Sequence, residues 1–262
     1  MIKKTLLSIG VCTFLVGSSL LGSDLKTSCE TKEGSFIFAG GECIQFYKAD
    51  GETKGALNII IHGNWPEGTN TLGRYAPFAD NIAMSTDVTT VAVALPGYSE
   101  SSTNKLQPLI KSPKDKPYAA TKEYVEFLNQ LVSNLKAKYH AQKITYIGHS
   151  AGAMMGATLS GMKPDLIQNI ALAGGRYNIH EVSKEKGLIS ATDLIDKMNK
   201  NMKMVLTYGT KDTISEPKVT TDFYKLAKEK GLDVKLVEVK DGVHLDLDMT
   251  DENVQAIVGM NE

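Results

Sequence analysis

The sequence KITYIGHSAGAMMG, residues 143–156, joins a predicted strand to a predicted helix. Residues 144–147 are apolar and β-prone, whereas residues 151–159 are rich in Ala and Met and indicate a helix. Between them, GHSAG fits the pattern G-x-S-x-G, in which a tight, strained turn presents a serine at the end of a central strand. The pattern is short, and it gains weight from the strand and helix predicted around it. Ser150 is therefore a candidate nucleophile.

Predicted strands and helices alternate on both sides of this turn. Apolar runs such as ALNIII at residues 56–61 suit strands that are buried on both faces of a parallel sheet. Strands are predicted at 36–39, 44–47, 56–61, 89–95, 144–147, 167–173, 204–208 and 234–239. Helices are predicted at 72–84, 120–139, 151–159, 217–230 and 251–260. The fold class is therefore α/β, with a mostly parallel twisted sheet, helices on both faces, an N-terminal antiparallel hairpin, and ligand chemistry at the carboxyl ends of the strands.

The N-terminal residues have the pattern of a secretory signal peptide. Two lysines precede an uncharged, largely apolar run, and small residues follow it. We expect cleavage near Gly22 or Ser23. The alternative is an uncleaved membrane anchor, but glycines and serines dilute the apolar run. We therefore predict a signal peptide at 1–23 and one domain at 24–262, exported to the periplasm or secreted, with no stable membrane insertion after cleavage.

Charge and motif content narrow the partners of the chain. The 262 residues carry a net charge of −1, and removing residues 1–23 takes away two lysines and no acid, which leaves −3. This balance argues against a nucleic-acid partner. The sequence has no P-loop, no dinucleotide-binding glycine pattern and no clustered metal ligands, so it implies no cofactor and no metal.

Two cysteines remain after the predicted cleavage. In an oxidising compartment, Cys29 and Cys43 are expected to form one disulfide. They flank the hairpin predicted around Gly40-Gly41, so the bridge is expected to tie the N-terminal strands together. Two separate buried thiols are the alternative. Metal binding fits less well, because no histidine or further cysteine lies nearby at ligand spacing.

The chain also supplies the two groups that a serine nucleophile needs. A histidine must accept the hydroxyl proton, and a carboxylate must fix the tautomer of that histidine and stabilise its charged form. Asp212 follows the strand at 204–208, and His244 follows the strand at 234–239. Both therefore fall at the same sheet edge as Ser150.

Other residues compete for these two positions. Asp246 or Asp248 is an alternative to Asp212, since both lie just after His244. The remaining candidate histidines fit less well. His140 ends a helix, and His180 lies in a polar loop. His149 lies inside the turn and is expected to point away from the partners of the serine.

In this order, GHSAG, YGTKD and DGVH resemble the nucleophile elbow, acid loop and histidine loop of the α/β-hydrolase superfamily. The resemblance covers residues 35–262 and extends to esterases and to single-domain relatives of prolyl oligopeptidase. It implies that Ser150 is the nucleophile, His244 the general base and acid, and Asp212 the partner that orients His244.

The resemblance also implies an oxyanion hole and substrate contacts. One N–H group is expected from Ala151, and the other from the HGNW loop, with Asn64 first and Trp65 next. Trp65, Tyr98 and Arg176 are candidate substrate-binding residues. Trp65 alternatively packs as core, and Tyr98 alternatively shapes its turn.

Taken together, these patterns predict an exported serine hydrolase that cleaves a carboxylic ester through an acyl-enzyme, with a small-molecule ester or a short peptide as substrate. The short insert at 175–200 favours an open cleft and small substrates. One alternative is a peptidase or amidase of the prolyl oligopeptidase type, with Arg176 or Glu100 binding a charged substrate terminus. The other is a non-catalytic binding protein on a retained hydrolase fold.

Overall fold

A computed structural model describes residues 17–109 and 117–261. The strands are β1 (Phe36–Ala39), β2 (Glu42–Ala49), β3 (Thr53–Ile61), β4 (Val88–Val93), β5 (Lys143–His149), β6 (Asn169–Ala173), β7 (Lys203–Gly209) and β8 (Val234–Val239). The helices are α1 (Gly17–Glu30), α2 (Thr71–Thr86), α3 (Lys122–Lys138), α4 (Ala151–Met162), α5 (Ala191–Leu194), α6 (Pro217–Glu229) and α7 (Asp251–Asn261).

The strands form one sheet in the order β1-β2-β4-β3-β5-β6-β7-β8. The β1–β2 and β2–β4 pairs are antiparallel, and every later pair is parallel. Each of the eight predicted strands is present, and the predicted fold class is confirmed. Because β3 and β6 pair with β5 on either side, the turn after β5 opens at the middle of the carboxyl edge of the sheet.

Helices cover both faces of the sheet, which explains the apolar runs in its strands. Successive side chains of a strand point to opposite faces. In β3, Ile59 and Ile61 pack in the core cluster that includes residues of α3 and α4, whereas Ile60 packs in the cluster that includes residues of α2 and α7. All three side chains are buried, so alternation with polar residues would leave a polar group in one of the two cores.

The N-terminal hairpin turns at Gly40 and Gly41, both with positive φ (61° and 92°), which glycine adopts at little cost. Cys29 and Cys43 form a disulfide, as predicted. Cys29 lies in α1 and not in a strand, so the bridge joins this helix to β2. The expectation that it ties two strands together was therefore wrong.

The predicted signal peptide falls largely outside the described residues, which begin with α1 at Gly17. Among residues 17–109 and 117–261, no helix combines the length and apolar character needed to cross a membrane. Signal cleavage and export stay predictions.

Candidate active site

Ser150 lies in the turn between β5 and α4 with φ 53° and ψ −115°, a backbone conformation that is uncommon and strained for a residue with a side chain. Its N–H group donates to the carbonyl of Ala173, 2.8 Å away, which ties the turn to the end of β6. Gly152 makes the turn possible, because a Cβ atom there would lie 2.2 Å from the carbonyl oxygen of Ile61. The strand, the tight turn and the helix that the sequence predicted are all present.

His244 lies between Ser150 and Asp212. Its Nε2 atom is 2.8 Å from Ser150 Oγ, and its Nδ1 atom is 2.8 Å from Asp212 Oδ2. A carboxylate only accepts hydrogen bonds, so Nδ1 carries the ring hydrogen and Nε2 accepts from the Ser150 hydroxyl. This tautomer leaves a lone pair ready to receive the serine proton.

The carboxyl group of Asp212 is buried and fully hydrogen-bonded. Its side chain has no exposed surface, and its Oδ1 atom accepts N–H groups from Ile214 and Ser215 at 2.8 Å each. Burial opposes ionisation, but the hydrogen bond from His244 and the two backbone N–H groups outweigh it, so the pKa of Asp212 lies below its ordinary value. Asp212 is therefore an anion at neutral pH, facing the ring that would become positively charged.

The two alternative acids lie elsewhere. Asp246 is at the surface, where its carboxylate pairs with the guanidinium of Arg74. Asp248 is buried and faces the ring of His149, with Oδ1 3.9 Å from Nδ1. The structure thus brings Asp212, and neither of the other two acids, into hydrogen-bond contact with His244.

Of the competing histidines, His180 bonds Asp193 near the surface, with 2.9 Å between Nε2 and Oδ2. His140 follows α3 with φ 50°. His149 differs from the expectation that it points away from the serine's partners, because its Nε2 atom lies 2.8 Å from the carbonyl oxygen of His244. The sequence offered no signal for this contact, since it joins the end of β5 to a loop 95 residues further along the chain.

The alpha/beta hydrolase fold family matches residues 59–192, just over half of the chain. This chain belongs to the α/β-hydrolase family. The sequence-based recognition of the superfamily is thereby confirmed.

Solved structures agree with this α/β-hydrolase in fold. The esterase Pf2001 of Pyrococcus furiosus is 15% identical and superposes with a TM-score of 0.66 over 90% of this chain and 93% of its own. TT1662 from Thermus thermophilus is 11% identical, with a TM-score of 0.66 over 87% and 96%. Est1E from Butyrivibrio proteoclasticus is 15% identical, with a TM-score of 0.60 over 87% and 97%. No curated protein sequence matches the chain.

In this α/β-hydrolase the predicted oxyanion residues lie on two segments that meet at the elbow. Ala151 is the first residue of α4, where helix geometry leaves its N–H group without an intrahelical acceptor, and the Ser150 side chain makes no capping bond there. The HGNW loop comes from the adjacent β3, and a Cβ atom at Gly63 would lie 2.6 Å from Ser150 Cβ. Asn64 is exposed, and Trp65 is half-buried with part of its ring against the core.

His62 fixes the start of that loop, a role that sequence reasoning missed. The N–H group of Leu95 donates to His62 Nε2 at 3.1 Å, and Nδ1 lies 2.7 Å from the carbonyl of Gly63. Nε2 therefore accepts and Nδ1 donates, as in a neutral ring. Burial lowers the pKa of His62 to about 4, which keeps it neutral at physiological pH.

Tyr98 and Arg176, both predicted to contact substrate, lie in different environments. Tyr98 is fully buried, and its hydroxyl donates to the carbonyl of Trp65 at 2.8 Å, which agrees with the alternative that it shapes the loop. Arg176 is half-buried, and its guanidinium donates to the carbonyl of Ile214 at 3.2 Å. It lines a cavity of about 650 Å³ together with residues of the acid loop and of α6.

Proposed function

We propose that this chain is a serine hydrolase that cleaves a carboxylic ester through an acyl-enzyme intermediate. The observation that carries the proposal is the hydrogen-bonded series Ser150, His244 and Asp212, in which one buried anion, one correctly oriented imidazole and one strained serine meet at the carboxyl edge of the sheet. Family membership supports hydrolase chemistry in general.

In the proposed reaction, Ser150 Oγ attacks the carbonyl carbon of the ester while His244 Nε2 takes the hydroxyl proton. Negative charge develops on the carbonyl oxygen, and the N–H groups of Ala151 and of Asn64 or Trp65 receive it. The C–O bond to the alcohol breaks as His244 returns the proton to the leaving oxygen. Water then attacks the acyl carbon and gives a proton to His244. The bond from that carbon to Ser150 Oγ breaks as His244 returns the proton to Oγ, which releases the acid and restores Ser150.

The surroundings of the triad support a small, partly apolar substrate. Three apolar side chains next to the triad are more than half exposed, namely Ile214 (65%), Val243 (53%) and Leu245 (52%). Between β6 and β7 the chain forms only short helical turns, so this segment supplies no large lid over the edge. We propose that the cavity beside Arg176, whose lining includes neither Ser150 nor His244, binds the remote part of the substrate. Its volume is within the usual range for small-molecule sites.

We also propose that the protein works outside the cytoplasm. The Cys29–Cys43 disulfide supports this, because such bridges persist in oxidising compartments. A fusion of residues 1–23 to a reporter that is active only after export tests it, and a reporter retained in the cytoplasm contradicts it.

The activity is tested with p-nitrophenyl esters of short and long chains beside aminoacyl p-nitroanilides, on the purified protein and on Ser150→Ala. Ester turnover that falls with chain length and is absent in Ser150→Ala supports an open-cleft esterase. Turnover of the anilides instead identifies a peptidase. A protein that turns over neither substrate and is not labelled by a fluorophosphonate at Ser150 is a binding protein, and the proposal is then wrong.

A further inference from the structure

Behind the triad lies a second group of polar side chains that the proposed reaction does not use. Asp248 is 1% exposed, and neither of its carboxyl oxygens makes a hydrogen bond of normal geometry to a described residue. The same holds for His149 Nδ1 and for the Tyr75 hydroxyl. These groups converge from the turn before α7, the end of β5 and the buried side of α2. Buried polar groups without partners are rare and call for an explanation.

The hydrogen positions can be worked out from the partners. The carbonyl of His244 only accepts, so His149 Nε2, 2.8 Å away, must carry a hydrogen. On the other side of the ring, His149 Nδ1 lies 3.9 Å from Asp248 Oδ1. A carboxylate facing a ring lone pair in a buried site would be repelled and unsolvated. One proton therefore belongs between Nδ1 and the carboxyl group.

The neighbouring groups favour placing that proton on the histidine. The Tyr75 hydroxyl can donate to a carboxylate, and burial followed by the negative charge of Asp248 raises the pKa of Tyr75 well above its ordinary value, so it stays protonated. Two other histidines lie near this ring: His62, which is neutral, and His244, whose ring centroid is 5.1 Å away. An ionised Asp248 would thus have an imidazolium and a hydroxyl facing it, which is what a buried carboxylate requires.

We propose that Asp248 and His149 form a buried carboxylate–imidazolium pair that positions His244. The pair rests on the proposed function of His244 as general base. It fixes the ring of His149, and the Nε2–H group of that ring holds the main-chain carbonyl of His244. The ring centroids of the two histidines are 5.1 Å apart, and the hydrogen bond to the carbonyl links the pair to the position of His244. Asp248 and His149 are positioning residues, since neither touches the reacting atoms.

The first test is ¹⁵N NMR of the full chain labelled in histidine. We expect both ring nitrogens of His149 to carry a hydrogen in the unmodified protein, and only one of the two, in either tautomer, to carry it in Asp248→Asn. An unprotonated Nδ1 in the unmodified protein overturns the charged pair. This readout needs no turnover, so it remains decisive even if the protein proves not to be an esterase.

The second test is kinetic. In Asp248→Asn the neutral His149 is free to adopt either tautomer, and one of them lacks the hydrogen bond to His244, so we expect kcat to fall about fivefold with KM within twofold. Asp246→Asn is the matched control, because it lies on the same loop with its side chain at the surface, and we expect it to leave kcat unchanged. If Asp248→Asn does not fold, Tyr75→Phe removes the hydroxyl that faces Asp248 and should lower kcat in the same direction. Full kcat in a folded variant of either residue shows that the pair does not position His244.

Discussion

The two carboxyl oxygens of Asp212 have different partners, and the Asp212→Asn variant tests the role of the oxygen that faces His244. Oδ1 accepts two backbone N–H groups, from Ile214 and Ser215, whereas Oδ2 accepts the Nδ1–H group of His244. An asparagine has one oxygen and one NH₂ group. Its oxygen is expected to keep the two N–H groups, since two donors outweigh one, and its NH₂ group then faces His244.

An NH₂ group at that place reverses the tautomer of His244. Nδ1 must accept from it, so the ring hydrogen moves to Nε2 and faces the Ser150 hydroxyl. His244 can no longer take the serine proton, and the charge that stabilised its protonated form is gone. Loss of the carboxylate in this way costs roughly 10⁴-fold in kcat in a serine triad, which corresponds to about 5 kcal/mol of transition-state stabilisation.

The assay is turnover of a short p-nitrophenyl ester by the unmodified protein, Asp212→Asn, Asp246→Asn and Ser150→Ala, with a melting temperature for each. We expect Asp212→Asn to lose about 10³- to 10⁴-fold in kcat with KM nearly unchanged. Asp246→Asn should stay within about twofold. A folded Asp212→Asn protein that keeps more than a tenth of the activity would show that Asp212 does not set the tautomer of His244.

Three further predictions concern stability. The pKa of Asp212 is lowered in the folded protein, so its ionised form stabilises the fold above the unfolded carboxyl pKa of about 3.9. This contribution is lost as the pH falls through the lower folded value. The stability of Asp212→Asn, measured by acid unfolding with circular dichroism, should therefore fall less steeply with pH. Gly152→Ala should lower the free energy of unfolding by about 1–3 kcal/mol and abolish fluorophosphonate labelling, because its Cβ atom would meet the main chain of β3. Gly259→Ala is the control: it has open space around it, so it should leave the stability unchanged or raise it. Neither Cys29 nor Cys43 should be alkylated in the denatured, unreduced protein, and reducing this bridge across 14 residues should cost about 3 kcal/mol in urea unfolding.

The fold was predictable because its strands carry a strong and simple signal. A run such as Ala56–Ile61 has a single polar residue, Asn58, and no alternation of polar and apolar positions, so it needs a helix layer on each side. Five such runs followed by turns leave few topologies. No single run predicts which strands pair with each other in the sheet. The pairing follows in the structure from β2 closing antiparallel on β4, which leaves β3 beside β5.

The site was predictable where function dictates residue type and strand ends dictate place. Ser150, Asp212 and His244 each follow a different strand, and parallel strands bring their carboxyl ends to one edge. Tyr98 was harder, because an aromatic residue in a strand-end turn has the same sequence pattern whether it contacts substrate or is buried beneath the loop, as it is here. Side-chain direction in a turn depends on one or two backbone angles, and periodicity carries no information about them.

Side-chain direction in the loop that carries His244 was also not predictable from the sequence. Asp246 adopts a left-handed conformation with φ 64°, which sends its own side chain to Arg74 and turns Asp248 into the protein. With Asp248 inside, His244 is held at two points: Asp212 bonds its ring, and His149 bonds its main chain. His149 is the residue directly before Ser150, so any shift of the elbow also moves the anchor of the base. In the proposed mechanism, the distance from Ser150 to His244 therefore depends on the elbow as well as on the loop that carries His244 and Asp248.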